Sequence, residues 1–210
     1  MNTKIIATLN HRYAVQIFDA VRKISPKDLH TILESARLAP SSVGLEAWKF
    51  IVVENIELRA QIREAGFGQV KITDASHLIL LAYRTDHENI SRERLERTAK
   101  TQNVEVESLA GLKKMTEETI ASKVSTGEYE NWAKAQTYIA LGIMIETASL
   151  LNIDTGPMEG FDAKKVGELL HLPEKNLKVA TMLALGYRGK DPIAQRSKTR
   201  RDFTDVIEYI

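Results

Sequence analysis

The segment from Trp132 to Leu151 constrains the fold most, because Trp132, Ala135, Tyr138, Ile139, Leu141, Ile143, Met144, Ile145, Ala148 and Leu151 occupy nearly every side of one helix. A helix apolar all round has no face to offer water, so it must be covered on all sides, inside its own core or against a second subunit. Other elements must therefore wrap it. Phe50–Val53, Leu78–Tyr83 and Val179–Tyr187 are short, nearly continuous apolar runs that suit buried strands. Helices separate them. Ser25 reads as an N-cap followed by Pro26 at the first helical position and Asp28 in the first turn. Leu29, Ile32, Leu33 and Ala36 then share a face that Pro40 ends. Asn55 opens another helix through Leu58, Ile62 and Ala65. This alternation predicts a layered α/β arrangement. At 210 residues one hydrophobic core suffices, so a single domain spanning 1–210 is expected.

Residues 86–128 differ in kind, being charge-rich and weakly patterned, as in Ser91-Arg92-Glu93-Arg94-Leu95-Glu96-Arg97. They read as a charged helical excursion, either a solvated pair of helices or a lid over a pocket. Lys and Arg total 29 against 28 Asp and Glu, for a formal net charge of +1. That balance gives no general field for nucleic acid or an anionic membrane, and neither partner is expected. The chain has no cysteine, which excludes thiolate catalysis, disulfides and iron–sulfur ligation. The apolar core at the N-terminus is too short for a signal peptide, no run is long enough to span a bilayer, and a cytoplasmic location is expected. The histidines at 11, 30, 77, 87 and 171 show no metal-ligand spacing, so no metal is expected.

Four segments could carry chemistry. His11-Arg12-Tyr13 follows the first helix, and its guanidinium could grip a phosphate through paired hydrogen bonds. Ala39-Pro40-Ser41-Ser42-Val43-Gly44-Leu45-Glu46-Ala47-Trp48 sets two hydroxyls in a loop able to donate to an acceptor-rich ligand. Lys198-Thr199-Arg200 is a basic stretch in which residues two apart share a face, so Lys198 and Arg200 could hold one phosphate. The apolar Phe203, Val206, Ile207 and Ile210 beyond it argue for an ordered arm. Pro157-Met158-Glu159-Gly160-Phe161-Asp162 reads as a rigid turn with backbone amides free to face a ligand. Two further stretches fail their tests. Gly66-Phe67-Gly68-Gln69-Val70-Lys71 lacks the third glycine of a dinucleotide turn and follows a helix rather than a strand, which leaves Gln69 and Lys71 as ring contacts. Ser76 and His77 enter a strand as adjacent residues, whose side chains are expected to point apart and not to pair. With no acid/base constellation apparent, any hard chemistry falls to a cofactor.

Taken in order, the His-Arg entry, Ala-Pro-Ser-Ser-Val-Gly-Leu-Glu-Ala-Trp, the Ala-Ser-His strand entry, Trp-Ala-Lys-Ala-Gln-Thr-Tyr-Ile-Ala-Leu-Gly, Pro-Met-Glu-Gly-Phe-Asp and Lys-Thr-Arg resemble the FMN-dependent nitroreductase family, nearest its oxygen-insensitive NAD(P)H-dependent bacterial branch. The resemblance implies an α+β fold with a mixed, mainly antiparallel sheet flanked by helices, and an intertwined homodimer with FMN at the subunit interface. It implies that Arg12, Lys198 and Arg200 hold the phosphate, with His11 and Tyr13 beside them, and that Ser41 and Ser42 approach the flavin. Gln69 and Lys71 would meet the ring edge, while Pro157, Met158, Glu159 and Gly160 form the turn beside it. Gln16 stands where many relatives have lysine, and Gly68 where some have asparagine. The implied activity is ping-pong hydride transfer through flavin N5, from NADPH or NADH to nitroaromatics, quinones or similar small planar electron acceptors, with no catalytic side chain. A dihydropteridine reductase, a dehalogenase, a flavin-modifying enzyme or a non-catalytic flavin-binding protein are the alternatives.

Overall fold

The structure, a computed structural model, describes residues 2–210. Strands β1 (Trp48–Val53), β2 (His77–Arg84), β3 (Asp154–Met158) and β4 (Leu177–Gly186) form one sheet in the order β1-β2-β4-β3, with every neighbouring pair antiparallel. The expected mixed character reduces to one parallel bridge between Ala14 and Thr155 at the β3 edge.

Both faces of this sheet are covered, which is why β2 reads as an unbroken apolar run. Leu78, Leu80 and Ala82 of β2 join Met182 and Ala184 of β4 on one face. Against them pack Ile62 and Ala65 of α3 (Ile56–Ala65), Ile72 of α4 (Lys71–Asp74) and Val166 of α8 (Ala163–Leu169). On the other face Ile79, Leu81, Leu183 and Leu185 meet Ile32 and Ala36 of α2 (Pro26–Arg37) and Ala140, Leu141, Met144 and Ala148 of α7 (Tyr129–Leu150). Each fully buried Leu or Ile contributes roughly 1.5–3 kcal/mol by leaving water. The caps fall where the sequence places them: Ser25 Oγ accepts from Asp28 N at 3.1 Å, and Asn55 Oδ1 from Leu58 N at 2.7 Å.

One expectation is corrected. Pro157 and Met158 end an edge strand, pairing with Leu183 and Met182, and the turn starts only at Glu159. Gly and Pro obscure strand character, yet an edge tolerates Pro157 because one side of the strand needs no ladder donor. Gly156 is required there, since a Cβ would lie 2.7 Å from the Val15 carbonyl oxygen. The chain itself covers α7 only in part. Ala135, Ile139, Gly142, Glu146 and Leu150 form an exposed stripe, with Ile139 42% and Leu150 40% exposed. Residues 86–128 fold chiefly into α5 (His87–Gln102) and α6 (Ala110–Ser125). Among the described residues no helix is long and apolar enough to cross a membrane.

Candidate functional site

The N-terminal helix α1 (Asn2–His11) delivers Arg12 and Tyr13 beside the chain that leaves β4, and three cations converge there. Lys198 Nζ donates to the carbonyl oxygens of Leu9 and Arg12, which ties the C-terminal arm to the end of α1. Burial first, then the charge of Arg200, lowers the pKa of Arg12; Lys198 is lowered by burial and by both arginines. Arg12 Nε is buried with no hydrogen-bond partner among the described residues. Mutually repelling cations around an orphaned donor are chemically incomplete without an anion. His11, Arg12, Tyr13, Lys198 and Arg200 line the resulting cleft of about 540 Å³.

Next to it lies a polar network centred on Asp191, whose side chain is buried. Its Oδ2 accepts from Gln16 N at 2.8 Å, Ile17 N at 3.3 Å and Tyr13 OH at 3.2 Å, while Oδ1 accepts from Ile193 N at 3.0 Å. Burial alone would raise its pKa, but these donors favour the charged form and hold it below the usual carboxylate value. Tyr13 is pushed the other way, up to about 12, by burial and then by Asp191. The same loop aims Gln16 at Lys71: Lys71 Nζ donates to Gln16 Oε1 at 3.0 Å. Lys71 is almost wholly buried, and that burial lowers its pKa. Gln16 is therefore the acceptor that keeps a buried ammonium satisfied.

Gln69 reaches the far end of the track, where its Nε2 donates to Gly160 O at 2.8 Å and to Gly66 O at 2.9 Å. Glu159 accepts a hydrogen bond from Tyr138 OH on α7. The turn's backbone bonds run from Phe161 N to Glu159 O and from Asp162 N to Ala65 O. The Glu159 and Gly160 N–H groups lie beyond the end of the β3–β4 ladder. Met158 is buried and Pro157 partly so, both as strand residues.

The chain thus assembles Arg12, Lys198 and Arg200, then Tyr13, Gln16 and Lys71, then Gln69, Glu159 and Gly160. Ser41 and Ser42 are occupied elsewhere. Ser41 Oγ accepts from Glu46 N at 2.9 Å and Ser42 N donates to Gln136 Oε1 of α7 at 2.9 Å, so this loop closes on itself and on α7. The Ser76–His77 expectation is wrong: Ser76 Oγ lies 3.0 Å from His77 Nδ1. Ser76 precedes β2, so the strand's alternation does not bind it. Its Oγ also accepts from Ile24 N at 2.9 Å, a buried structural role. Asp191 and Tyr138 were missed. An Asp before Pro192 is a capping signal that could have flagged the first, whereas Tyr138 is hidden among the apolar residues of α7.

Sequence and structure comparisons agree on what this arrangement belongs to. The model of the nitroreductase family matches residues 9–187. A Staphylococcus epidermidis protein named "Putative NAD(P)H nitroreductase" is 38% identical, covering 100% of this chain and 98% of that protein. A nitroreductase-named crystal structure from Bacillus subtilis superposes with a TM-score of 0.87 at 19% identity, covering 100% of both chains. Another from Exiguobacterium sibiricum, described as a "putative nitroreductase in complex with FMN", gives 0.81 at 19% identity over 98% of this chain and 97% of that one. The α+β fold is that of the nitroreductases, and the chain belongs to the nitroreductase family.

Proposed function

We propose that the protein is an FMN-dependent NAD(P)H oxidoreductase that reduces nitroaromatics, quinones or similar flat acceptors. The observation that carries this reading is the cluster of Arg12, Lys198 and Arg200 with the unpartnered Arg12 Nε, which fits a single terminal phosphate. The relative named as an NAD(P)H nitroreductase and the same-fold protein described with FMN support it. When bound, FMN would supply two-electron transfer between nicotinamide and acceptor. The chain's own work is then to bind and orient. Arg12, Lys198 and Arg200 would hold the phosphate, with His11 and Tyr13 walling the cleft. Lys71, oriented by Gln16, would place positive charge beside the ring, and the Glu159 and Gly160 N–H groups would face its acceptor edge.

The rest of the reading concerns assembly. The reading includes a homodimer, in which Ser41 and Ser42 would approach a flavin held against a second copy of the chain. The exposed stripe of α7 supports this, as do the apolar residues of the C-terminal arm, where Phe203 is 65% exposed and Ile207 42%. We take residues 1–210 as one domain and α5–α6 as a wall or lid over the site, braced against the Ser41–Gly44 loop by Arg94 beside Gly44 and by Arg97 paired with Glu46 at 3.4 Å. A cytoplasmic location completes it. The test is the visible spectrum of the purified protein before and after anaerobic NADPH. A flavin spectrum that bleaches is expected, and a protein that neither carries nor takes up FMN would refute the reading.

A further inference from the structure

Residues 158, 159 and 160 are each held from a different part of the fold, and one of the three holds depends on an irregularity in β4. Leu81 pairs with Thr181 while Ala82 pairs with Val179, so Ala180 is an extra residue on its strand. Such a bulge takes a residue out of the ladder and redirects its neighbours. The Ala180 carbonyl oxygen lies 3.5 Å from Tyr138 OH, and Thr181 Oγ1 donates to Met158 O at 2.8 Å. Tyr138 OH in turn donates to Glu159 Oε1, and Gln69 Nε2 clasps the Gly160 carbonyl.

We propose that Tyr138 is a positioning residue: with the bulge at Ala180 beneath it, it fixes Glu159 so that the Glu159 and Gly160 N–H groups are aimed before any ligand arrives. The proposal rests on the flavin reading above and names a residue of α7 as part of that site. Donors held in advance can stabilise charge that develops on a ligand without reorganising, and this is where hydrogen-bond donors do most for a reaction. Burial and the Glu159 carboxylate raise the pKa of Tyr138, which keeps its hydroxyl a donor at neutral pH. A phenylalanine would fill the same space under the turn but would leave Glu159 free to rotate. The geometry therefore separates a clamp from simple packing.

The experiment compares the wild type with Tyr138→Phe, Glu159→Gln and the double variant Tyr138→Phe/Glu159→Ala, with Glu159→Ala as its second single. In flavin-free protein, hydrogen exchange of the Phe161 amide, which bonds the Glu159 carbonyl oxygen, is expected to speed up about tenfold in Tyr138→Phe, as local opening becomes easier. In the loaded protein the preference for reduced over oxidised flavin is expected to fall about tenfold, a drop in midpoint potential of about 30 mV for a two-electron couple. In the exchange measurement Glu159→Gln, which keeps an oxygen to accept from the phenol, should be affected less than Tyr138→Phe. The double variant should be no worse than either of its single changes. Unchanged exchange and potential in Tyr138→Phe, or strictly additive losses in the double variant, would overturn the clamp. A wild-type protein without flavin affinity would sink the functional reading instead, and the exchange measurement alone would still decide the clamp.

Discussion

Replacing Arg200 by Gln separates a ligand site from a solvated basic tail, because it moves two observables in opposite directions. Among the described residues Arg200 has only the Thr199 carbonyl as a hydrogen-bond partner, at 2.7 Å, and its charge lowers the pKa of both Arg12 and Lys198. Without an anion, three cations face one another, so the flavin-free protein carries repulsion that Arg200→Gln relieves. With an anion, the same change removes a charge-assisted hydrogen bond of about 1.5–3 kcal/mol. At about 1.4 kcal/mol per tenfold, the FMN Kd should rise roughly 10- to 150-fold. The melting temperature of the flavin-free variant should stay level or rise slightly, because Arg200 is exposed and water screens most of the repulsion. Fluorescence-quenching titration gives the Kd, and thermal unfolding with and without FMN gives the stabilities. Wild-type affinity should also fall more steeply with salt than that of the variant, which has one cation fewer. An FMN Kd unchanged by Arg200→Gln, or a flavin-free variant destabilised by more than about 1 kcal/mol, would refute the reasoning.

Asp191→Asn should bring Tyr13, now pushed up to about 12, back toward its ordinary value, read as phenolate absorbance in an alkaline titration. The Asp191 carboxyl titrates lower folded than unfolded, so its stabilisation is present above about pH 3.9 and is lost as pH falls through the folded value; the variant should lose that acid-side dependence. Lys71 and Lys198 titrate lower in the folded flavin-free protein, which then binds fewer protons than the unfolded chain. Its stability should climb with pH toward about 10, then fall as unfolded tyrosines ionise ahead of Tyr13 and Tyr83, in urea titrations across pH. Gln16→Leu strips the buried Lys71 ammonium of its acceptor and should cost about 1–3 kcal/mol by chemical denaturation. Ile139→Glu, on the exposed stripe of α7, should yield a folded monomer in ultracentrifugation. The same change at the fully buried Ala140 should unfold the chain instead, and an intact Ile139→Glu dimer would remove α7 from the interface.

The core was legible because burial on both sides of the sheet writes itself into β2 and β4 as nearly continuous apolar runs, and because Ser25 and Asn55 are caps whose chemistry is local. β3 was illegible. Its Asp154-Thr155-Gly156-Pro157-Met158 has no apolar alternation and a single β-branched residue, Thr155, and it is a strand because β4 and the Val15 backbone flank it. The phosphate cluster could be named from Arg12, Lys198 and Arg200, but the partners that complete the track lie far off in sequence. Asp191 meets Gln16 across 175 positions, and Tyr138 meets Glu159 across 21. The Ser76–His77 contact escapes strand alternation because Ser76 lies one residue before β2 begins. For α7, composition fixed that it must be covered, while only the three-dimensional packing divides its residues between the chain's own core and an open stripe.

The buried guanidinium of Arg59 gives the site a particular tolerance to genetic drift. From α3 it donates to the carbonyl oxygens of Ile72 at 2.7 Å, Ala75 at 2.6 Å and Ser76 at 3.3 Å, closing off the single turn of α4 that presents Lys71. All three acceptors are main-chain atoms, which every amino acid supplies alike. The half-buried side chains of Thr73 and Asp74 can therefore be exchanged over generations without loosening the turn, while Arg59 cannot. Lysine, with one nitrogen in place of a rigid fork, reaches too few of those oxygens to substitute for it. The identity of Arg59 thus becomes fixed by the shape of a backbone, and within 71–76 only the half-buried Thr73 and Asp74 are left room to vary.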